Sequence, residues 1–318
     1  MSLFTIETQE FGWAEVQIAA QQWGEWQIFF ESVRQSLACL RLATMTDQLP
    51  SAEKVREVAT AFRYARNLIS AEETKAWLQR WGMTLEDWMD CLRGRLLRQS
   101  WAGKLNEIGR THPITDAEVK EVLRNYAVCA DKLGEWTRKL AGRAAVAAHT
   151  NAVLAEFRSP EELIAGIEVQ FEQKRKESLT PKLINTKVAD HRFDWIHYDC
   201  KYLWFDNEST GREAAWCVSE DGLTLDEVAA EAHEEVRRWS FYADEIDASV
   251  RPYFLAAKQG DLLGPLKLKA GYPLFSLISK TLPSAEDPQI FVRAENAIIT
   301  SLTAQAINER VKWAVCLT

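Results

Sequence analysis

The feature that most constrains the fold is a helix-start signal that recurs along the chain. In this signal, a Ser or Thr is followed three residues later by Glu or Asp, and each side chain can bond the other residue's backbone N–H. It begins at Ser70, Thr84, Thr115 and Thr224. Apolar residues follow each signal at helical spacing, which predicts amphipathic helices joined by short polar connections. We therefore expect a first half that is mainly helical.

Other signals extend this pattern. Apolar periodicity predicts helices over residues 24–48 and 115–148, and Ser51 can cap a helix of its own. Gly82 should end the helix that starts at Ser70, and Pro160 should occupy the first position of a later helix. The polar, Pro-containing residues 178–193 predict a linker.

The residue composition changes after the linker. Residues 195–198 and 202–205 are rich in aromatic and branched side chains, as is typical of strands. A short helix over 252–258 is followed by turns and a strand at 274–278. A last helix over 290–310 then leads into a strand over 311–317. The chain is therefore expected to be an α+β protein.

Composition restricts the possible functions. The 318 residues suit two domains, and the net charge of -8 argues against nonspecific binding to nucleic acid or an anionic membrane. Neither a secretory signal nor a bilayer-spanning apolar run is found, so we expect a cytoplasmic protein. The six Cys lack a C-x-x-C pair and the five His are dispersed. Reduced thiols are therefore expected, with no metal site and no cofactor.

Two runs of residues carry a family resemblance. The first comprises Phe62-Arg63, Asn67-Leu68, residues 70–74, Trp77-Leu78, Leu85-Glu86-Asp87 and Leu96-Leu97. The second comprises the G-x-x-x-G-P run over 260–265 and Gly271-Tyr272-Pro273-Leu274. Together they resemble the SurA/PpiC group of parvulin-type foldases. The first run is similar, more narrowly, to parvulin-related proteins of ribosomal-peptide (bacteriocin) maturation clusters.

The resemblance implies an architecture. Residues 1–177 would form a mostly helical, SurA-like, peptide-binding domain, followed by the linker at 178–193. Residues 194–285 would form a small, degenerate parvulin-like α/β domain. The C-terminal helix and strand, within 286–318, would return to pack on the helical domain.

The resemblance also bears on catalysis, because active parvulins place two His side by side in the floor of the proline pocket. Here Tyr202 stands at the first of those positions, although Cys200 or His197 could be its true counterpart. Pro273 stands at the second. With the pair replaced, no catalytic residue is assigned. The resemblance therefore favours a protein that is not an enzyme.

Aromatic residues supply the candidate binding side chains. The chain has 13 Trp but only seven Tyr, and Trp77, Trp81 and Trp88 have the helical spacing of core residues. An apolar groove with aromatic anchors is a usual way to hold a peptide. The candidate peptide-binding residues, for which packing is the alternative interpretation, are Tyr202, Trp204, Phe205, Tyr272, Phe275, Trp26, Phe29 and Phe30.

The resulting functional hypothesis is a non-catalytic, chaperone-like protein. It would recognise a precursor or leader peptide during maturation of a ribosomally synthesised peptide natural product. One alternative is an active parvulin-type peptidyl-prolyl isomerase, and another is a scaffolding subunit for peptide-modifying enzymes. No nucleic-acid or membrane partner is expected.

Overall fold

The computed structural model describes residues 2–148 and 159–315 of the chain. It shows an α+β protein in which helices predominate and two small antiparallel sheets complete the architecture. The chain divides into two compact units. The first comprises Met1–Lys174 together with Leu302–Thr318, and the second comprises Arg175–Ser301. None of the helices in the described residues combines the length and the apolar character needed to cross a membrane.

The first unit contains most of the helices. In chain order its elements are β1 (Ser2–Ile6), β2 (Gln9–Gly12), α1 (Trp13–Gln22), α2 (Glu25–Met45), α3 (Ala52–Ala65), α4 (Ala71–Trp81), α5 (Leu85–Ser100), α6 (Leu105–Thr111), α7 (Asp116–Cys129) and α8 (Lys132–Ala148). The helix α9 (Pro160–Ser178) runs from this unit into the second one.

The capping signals form as the sequence predicts. At α4, the Ser70 hydroxyl accepts from the Glu73 N–H at 3.0 Å, and the Glu73 carboxylate accepts from the Ser70 N–H at 2.8 Å. The same reciprocal pairs begin α5 at Thr84 and α7 at Thr115. Gly82 follows α4 with a left-handed φ of 64°, which suits a residue without a Cβ.

The first unit also holds a three-stranded sheet in the order β2-β1-β7, in which β7 is Val311–Trp313. Its strands β1 and β2 were not expected from the sequence; in them Phe4 and Phe11 stack with ring centroids 4.6 Å apart. The third strand, β7 (Val311–Trp313), pairs antiparallel with β1. The return of the C-terminal helix and strand to the helical region is thus confirmed. Residues 316 and 317 of the predicted strand lie outside the described residues.

The core of the first unit is built around α8. Trp136, Leu140 and Ala144 are completely buried, as are several neighbouring alanines of the same helix. Gly142 makes room for α14 (Pro288–Arg310), because a Cβ there would lie 3.1 Å from the Thr303 Cβ. Small side chains on α8 therefore allow neighbouring elements to approach it closely.

The second unit is a sheet with helices. Its elements are α10 (Pro181–Asp190), β3 (His197–Leu203), α11 (Glu208–Ser219), α12 (Leu225–Ala232), β4 (Arg237–Tyr242), α13 (Arg251–Ala256), β5 (Leu262–Leu263) and β6 (Leu274–Thr281). The helix α14 (Pro288–Arg310) runs from here back into the first unit. The antiparallel strand order is β4-β3-β6-β5. A capping box at Thr224 starts α12, as predicted.

Three features correct the sequence-based expectations. The segment 178–193 is not a linker, because it forms α10 and buries Ile184 and Val188 in a cluster with Trp195. The expected helix over 115–148 is two helices, α7 and α8, separated at Asp131, whose φ is 59°. Residues 195–205 contribute one strand, which ends at Leu203, so Trp204 and Phe205 lie beyond it.

Candidate functional site

The sheet of the second unit has two buried faces with different partners. Tyr198, Cys200 and Tyr202 alternate along β3 and point to one face, which packs against Phe254 of α13. Leu203 points to the opposite face, which packs against α11 and α12. The first of these faces is called the aromatic face here; its rings are Tyr198, Tyr202, Trp239, Phe241 and Phe275, and Phe254 covers it.

The aromatic face brings together two of the predicted binding residues. The rings of Tyr202 and Phe275 have centroids 5.7 Å apart on neighbouring strands. Trp239 of β4, which the sequence analysis did not single out, lies 4.2 Å from Phe241 and 6.1 Å from Phe275 between centroids. Trp239 is 38% exposed, whereas Phe275 is 2% exposed. The alternation of Trp239 and Phe241 is the strand signal that could have revealed this residue.

The other three sheet-associated predictions lie elsewhere. Phe205 is buried, and Tyr272 half-buried, in the cluster that joins the opposite face to α11 and α12. The backbone N–H of Tyr272 donates to the Phe205 carbonyl at 2.8 Å. The indole of Trp204 packs on Gly271, where a Cβ would lie 2.6 Å from Trp204 Nε1. These contacts are those of packing residues, so the predicted aromatic set is split between two sides of the sheet.

The titratable groups of the aromatic face are phenols and a thiol. Burial raises the pKa of Tyr198 to about 12, and burial with nearby Asp199 raises the pKa of Cys200 to about 12. Both groups therefore stay protonated at neutral pH, which suits neither a base nor a nucleophile. Within the described residues, the Tyr198 hydroxyl is buried without a hydrogen-bond partner.

The positions compared with the parvulin His pair have no imidazole on this face. His197 points to the opposite side of β3 from Tyr198, and its Nε2 lies 2.9 Å from the Ser240 hydroxyl oxygen. Pro273 is buried, and its carbonyl accepts from the Leu266 N–H at 2.9 Å. No group of three or more His, Cys, Asp or Glu side chains in the described part of the chain could hold a metal ion.

The first unit contains a separate cavity of about 560 Å³ between α2, α5, α7 and α8, called the helical cavity here. Phe29 and Trp136 form part of its wall, with rings perpendicular and centroids 5.4 Å apart. Trp26 and Phe30 are 8% and 5% exposed and pack in the core behind it. Of the three N-terminal residues predicted from the sequence, Phe29 is therefore the one that lines the helical cavity.

At the helical cavity, some charged side chains have a charged partner within the described residues and others do not. Glu25 accepts from Trp136 Nε1 at 2.7 Å and from Lys139 Nζ at 2.5 Å. Burial alone would raise the pKa of Glu25, but these hydrogen bonds outweigh it and hold that pKa below its usual range. Arg95 and Arg98, one turn apart on α5, also line the cavity and form no ion pair within the described residues. The cavity therefore combines an aromatic wall with a basic edge.

The floor of the helical cavity is neutral. The hydrogen bond to Cys129 and burial raise the pKa of the Cys91 thiol, and burial raises that of Tyr126. Tyr126 Oη lies 3.5 Å from the Asp90 carbonyl oxygen. A Cβ on Gly94 would lie 2.5 Å from that Oη, so the glycine makes room for the ring. The neutral Cys91 thiol and Tyr126 phenol favour contacts with uncharged parts of a ligand.

Comparisons with known proteins place these sites in context. No family model matches the chain. No curated protein matches it. Solved structures similar to this chain include PrsA proteins and a SurA-like chaperone.

Three of these neighbours illustrate the similarity. The foldase protein PrsA of Lactococcus lactis is 10% identical, with 99% of this chain and 95% of that chain covered and a TM-score of 0.29. The peptidylprolyl isomerase PrsA of Bacillus anthracis is 14% identical, with coverages of 67% and 96% and a TM-score of 0.28. A SurA-like chaperone of Campylobacter jejuni is 10% identical, with coverages of 99% and 99% and a TM-score of 0.22. At such scores, function must be argued from this chain's own geometry.

Proposed function

We propose that this chain is a non-catalytic, chaperone-like protein that binds a peptide in the helical cavity. The observation that carries the proposal is the cavity itself, which joins the Phe29 and Trp136 wall to the Arg95 and Arg98 edge. Its volume of about 560 Å³ lies within the range of roughly 300–1,000 Å³ usual for ligand sites. The aromatic wall would hold apolar side chains, and the arginines would bond peptide carbonyls or a carboxylate.

Ile28 and Met45 provide a matched pair of variants for this proposal. Both are on α2 and are 76% and 72% exposed, but Ile28 lines the helical cavity and Met45 does not. Because glutamine is a good helix former, Ile28→Gln and Met45→Gln should both fold. Loss of the Ile28 apolar contact should weaken peptide binding roughly fivefold to tenfold. Met45→Gln should leave the affinity unchanged.

The assay is fluorescence anisotropy of a labelled, permanently unfolded polypeptide, reduced and carboxymethylated α-lactalbumin, titrated with the full chain. Saturable binding that is weakened by Ile28→Gln alone supports the proposal. No binding, or equal weakening by the two variants, contradicts a peptide site in the cavity. Far-UV circular dichroism of both variants checks that the helices are retained.

We further propose that the natural ligand is a precursor or leader peptide of a ribosomally made natural product, bound in the cytoplasm before a modifying enzyme acts. The support is the sequence resemblance carried by the residues 62–97 named above. The test is a titration with a precursor peptide encoded beside this gene, followed by Trp fluorescence. A spectral change with that peptide but not with its scrambled sequence is expected. Equal responses to both would contradict selective recognition.

Prolyl isomerisation is a second candidate function, favoured by the half-buried phenol of Tyr202, which lies on the aromatic face against Phe275. A desolvated surface with a polar donor could ease rotation about a prolyl amide, whose barrier is about 20 kcal/mol. The test is a coupled isomerisation assay with a short peptide that contains one X-Pro bond. We expect no turnover above background. Turnover that disappears in Tyr202→Phe or Cys200→Ala would overturn the non-catalytic proposal.

A further inference from the structure

A second concave surface of the first unit lies between α3 and α4, with the start of α5 at one end. This basic-rimmed groove has a volume of about 590 Å³. Both walls are helical stripes with the spacing i, i+3, i+4, i+7. Its lining residues are Arg56, Ala59, Thr60, Arg63, Ala71, Thr74, Lys75, Leu78, Gln79, Met83, Leu85 and Trp88. From i to i+7 there are seven rises of about 1.5 Å, so each stripe is about 10 Å long, which is two helical turns.

The floor of the groove is apolar. Leu78, Met83 and Trp88 are 7%, 6% and 4% exposed, so they form a fixed surface. Leu85, at the first position of α5, is 61% exposed and stands at the end of the groove. A partner that covers Leu85 would remove this exposed apolar side chain from water.

The rim of the groove is positively charged, although the whole chain carries a net charge of -8. Arg56 and Arg63 come from α3 and Lys75 comes from α4, and none of the lining residues is acidic. The Arg63 guanidinium is held in place, because it donates to the Leu68 and Ile69 carbonyls at 3.1 and 2.5 Å. Arg56 and Lys75 are exposed and form no ion pair within the described part of the chain. Their charge is available to a partner.

We propose that the basic-rimmed groove docks an acidic amphipathic helix of a partner protein. Two helical walls around an apolar floor match the way a helix lays its apolar face into a groove. The three rim cations select a helix whose flanks carry Glu or Asp, and like charges would repel a basic helix. The groove and the helical cavity have different lining residues, so this inference does not depend on the proposed function.

The probe is a fluorescein-labelled peptide of 18 residues made from Leu, Ala and Glu. Leu recurs at i, i+3, i+4 and i+7, and Glu occupies the flanks. Two comparison peptides have the same composition in scrambled order, or Lys in place of Glu. Anisotropy titrations with the full chain at low and high salt measure the affinity of each peptide.

The rim variant is Arg56→Glu with Lys75→Glu, and its matched control is Lys54→Glu with Arg80→Glu. All four positions are exposed on α3 or α4, but the control pair is outside the groove. A third variant, Leu85→Asp, removes the exposed apolar group and places an acid in the first turn, where the helix dipole favours it. Far-UV circular dichroism checks that each variant keeps its helices.

Each outcome bears on the proposal. The rim variant and Leu85→Asp should each weaken the acidic peptide about tenfold or more, and the control pair should change its affinity by less than about twofold. Salt should weaken binding to the wild-type chain more than to the rim variant. Equal affinity for the scrambled or the basic peptide would overturn the proposal. Weakening by Ile28→Gln in place of the groove variants would overturn it too, since the peptide would then occupy the helical cavity.

Discussion

Tyr198 lies in the core of the second unit, where replacing it by Phe should raise the free energy of unfolding. Its side chain is completely buried, and its ring contacts Phe241 and Phe254 at centroid distances of 5.6 and 5.5 Å. Its hydroxyl has no hydrogen-bond partner within the described residues. A buried hydroxyl without a partner costs about 1–3 kcal/mol, and Tyr198→Phe removes that cost while the ring contacts remain. The variant should therefore be more stable than the wild-type chain by about 1 kcal/mol at pH 7.

The same substitution predicts a pH dependence. Burial raises the pKa of Tyr198 to about 12 in the folded chain, so the unfolded chain loses this proton first, near pH 10. The wild-type chain should lose stability between about pH 10 and 12, by about 1.4 kcal/mol per pH unit. Tyr198→Phe lacks this loss. Because both proteins keep Cys200, its raised pKa cancels in the comparison.

The assay is urea unfolding followed by circular dichroism at pH 7, 9 and 11. Tyr242→Phe is the matched control, since the Tyr242 hydroxyl donates to Gln289 Oε1 at 2.7 Å. The control should be less stable than the wild-type chain by about 1 kcal/mol at pH 7. A Tyr198→Phe variant that is less stable at pH 7, or that gains no further advantage at pH 11, would refute the reasoning.

Three further changes should each lower the midpoint of urea unfolding. Gly94→Ala places a Cβ 2.5 Å from Tyr126 Oη, and this overpacking of about 1–3 kcal/mol exceeds the gain in helix propensity; adding Tyr126→Phe should recover part of the loss. Lys280→Met removes an ammonium that donates to three carbonyls at the end of α13, at a cost of about 1–2 kcal/mol. Ser70→Ala removes the α4 cap and should cost about 1 kcal/mol, whereas the exposed Ser100→Ala should cost less than half of that.

The sequence predicted the helices well because the interactions that start a helix join residues close together in the chain. A hydroxyl and a carboxylate three residues apart satisfy the first N–H groups whatever the rest of the chain does, as at Ser70 and Thr115. The strand β1 escaped prediction because it pairs with β7, which is distant in sequence. Phe4, for example, pairs with Trp313 at the other end of the chain.

The candidate site was predicted only in part, because packing between residues distant in sequence decides which side chains come together. The sequence could propose aromatic residues, but the side of the sheet on which each lies depends on where β3 ends. Because β3 ends at Leu203, Tyr202 belongs to the aromatic face while Phe205 packs against α11 and α12. The wall formed by Phe29 and Trp136 is a product of tertiary packing and was not visible as a local motif, whereas the alternation of Trp239 and Phe241 was a local strand signal.

By itself, the sequence determined the α+β class and most helix boundaries. Those properties follow from capping chemistry, periodicity and the identity of single residues. Only the tertiary structure decided that residues 181–190 are a packed helix, and it alone formed the helical cavity and the basic-rimmed groove. The physical reason is that a concave surface belongs to several helices at once, so no one segment of sequence encodes it.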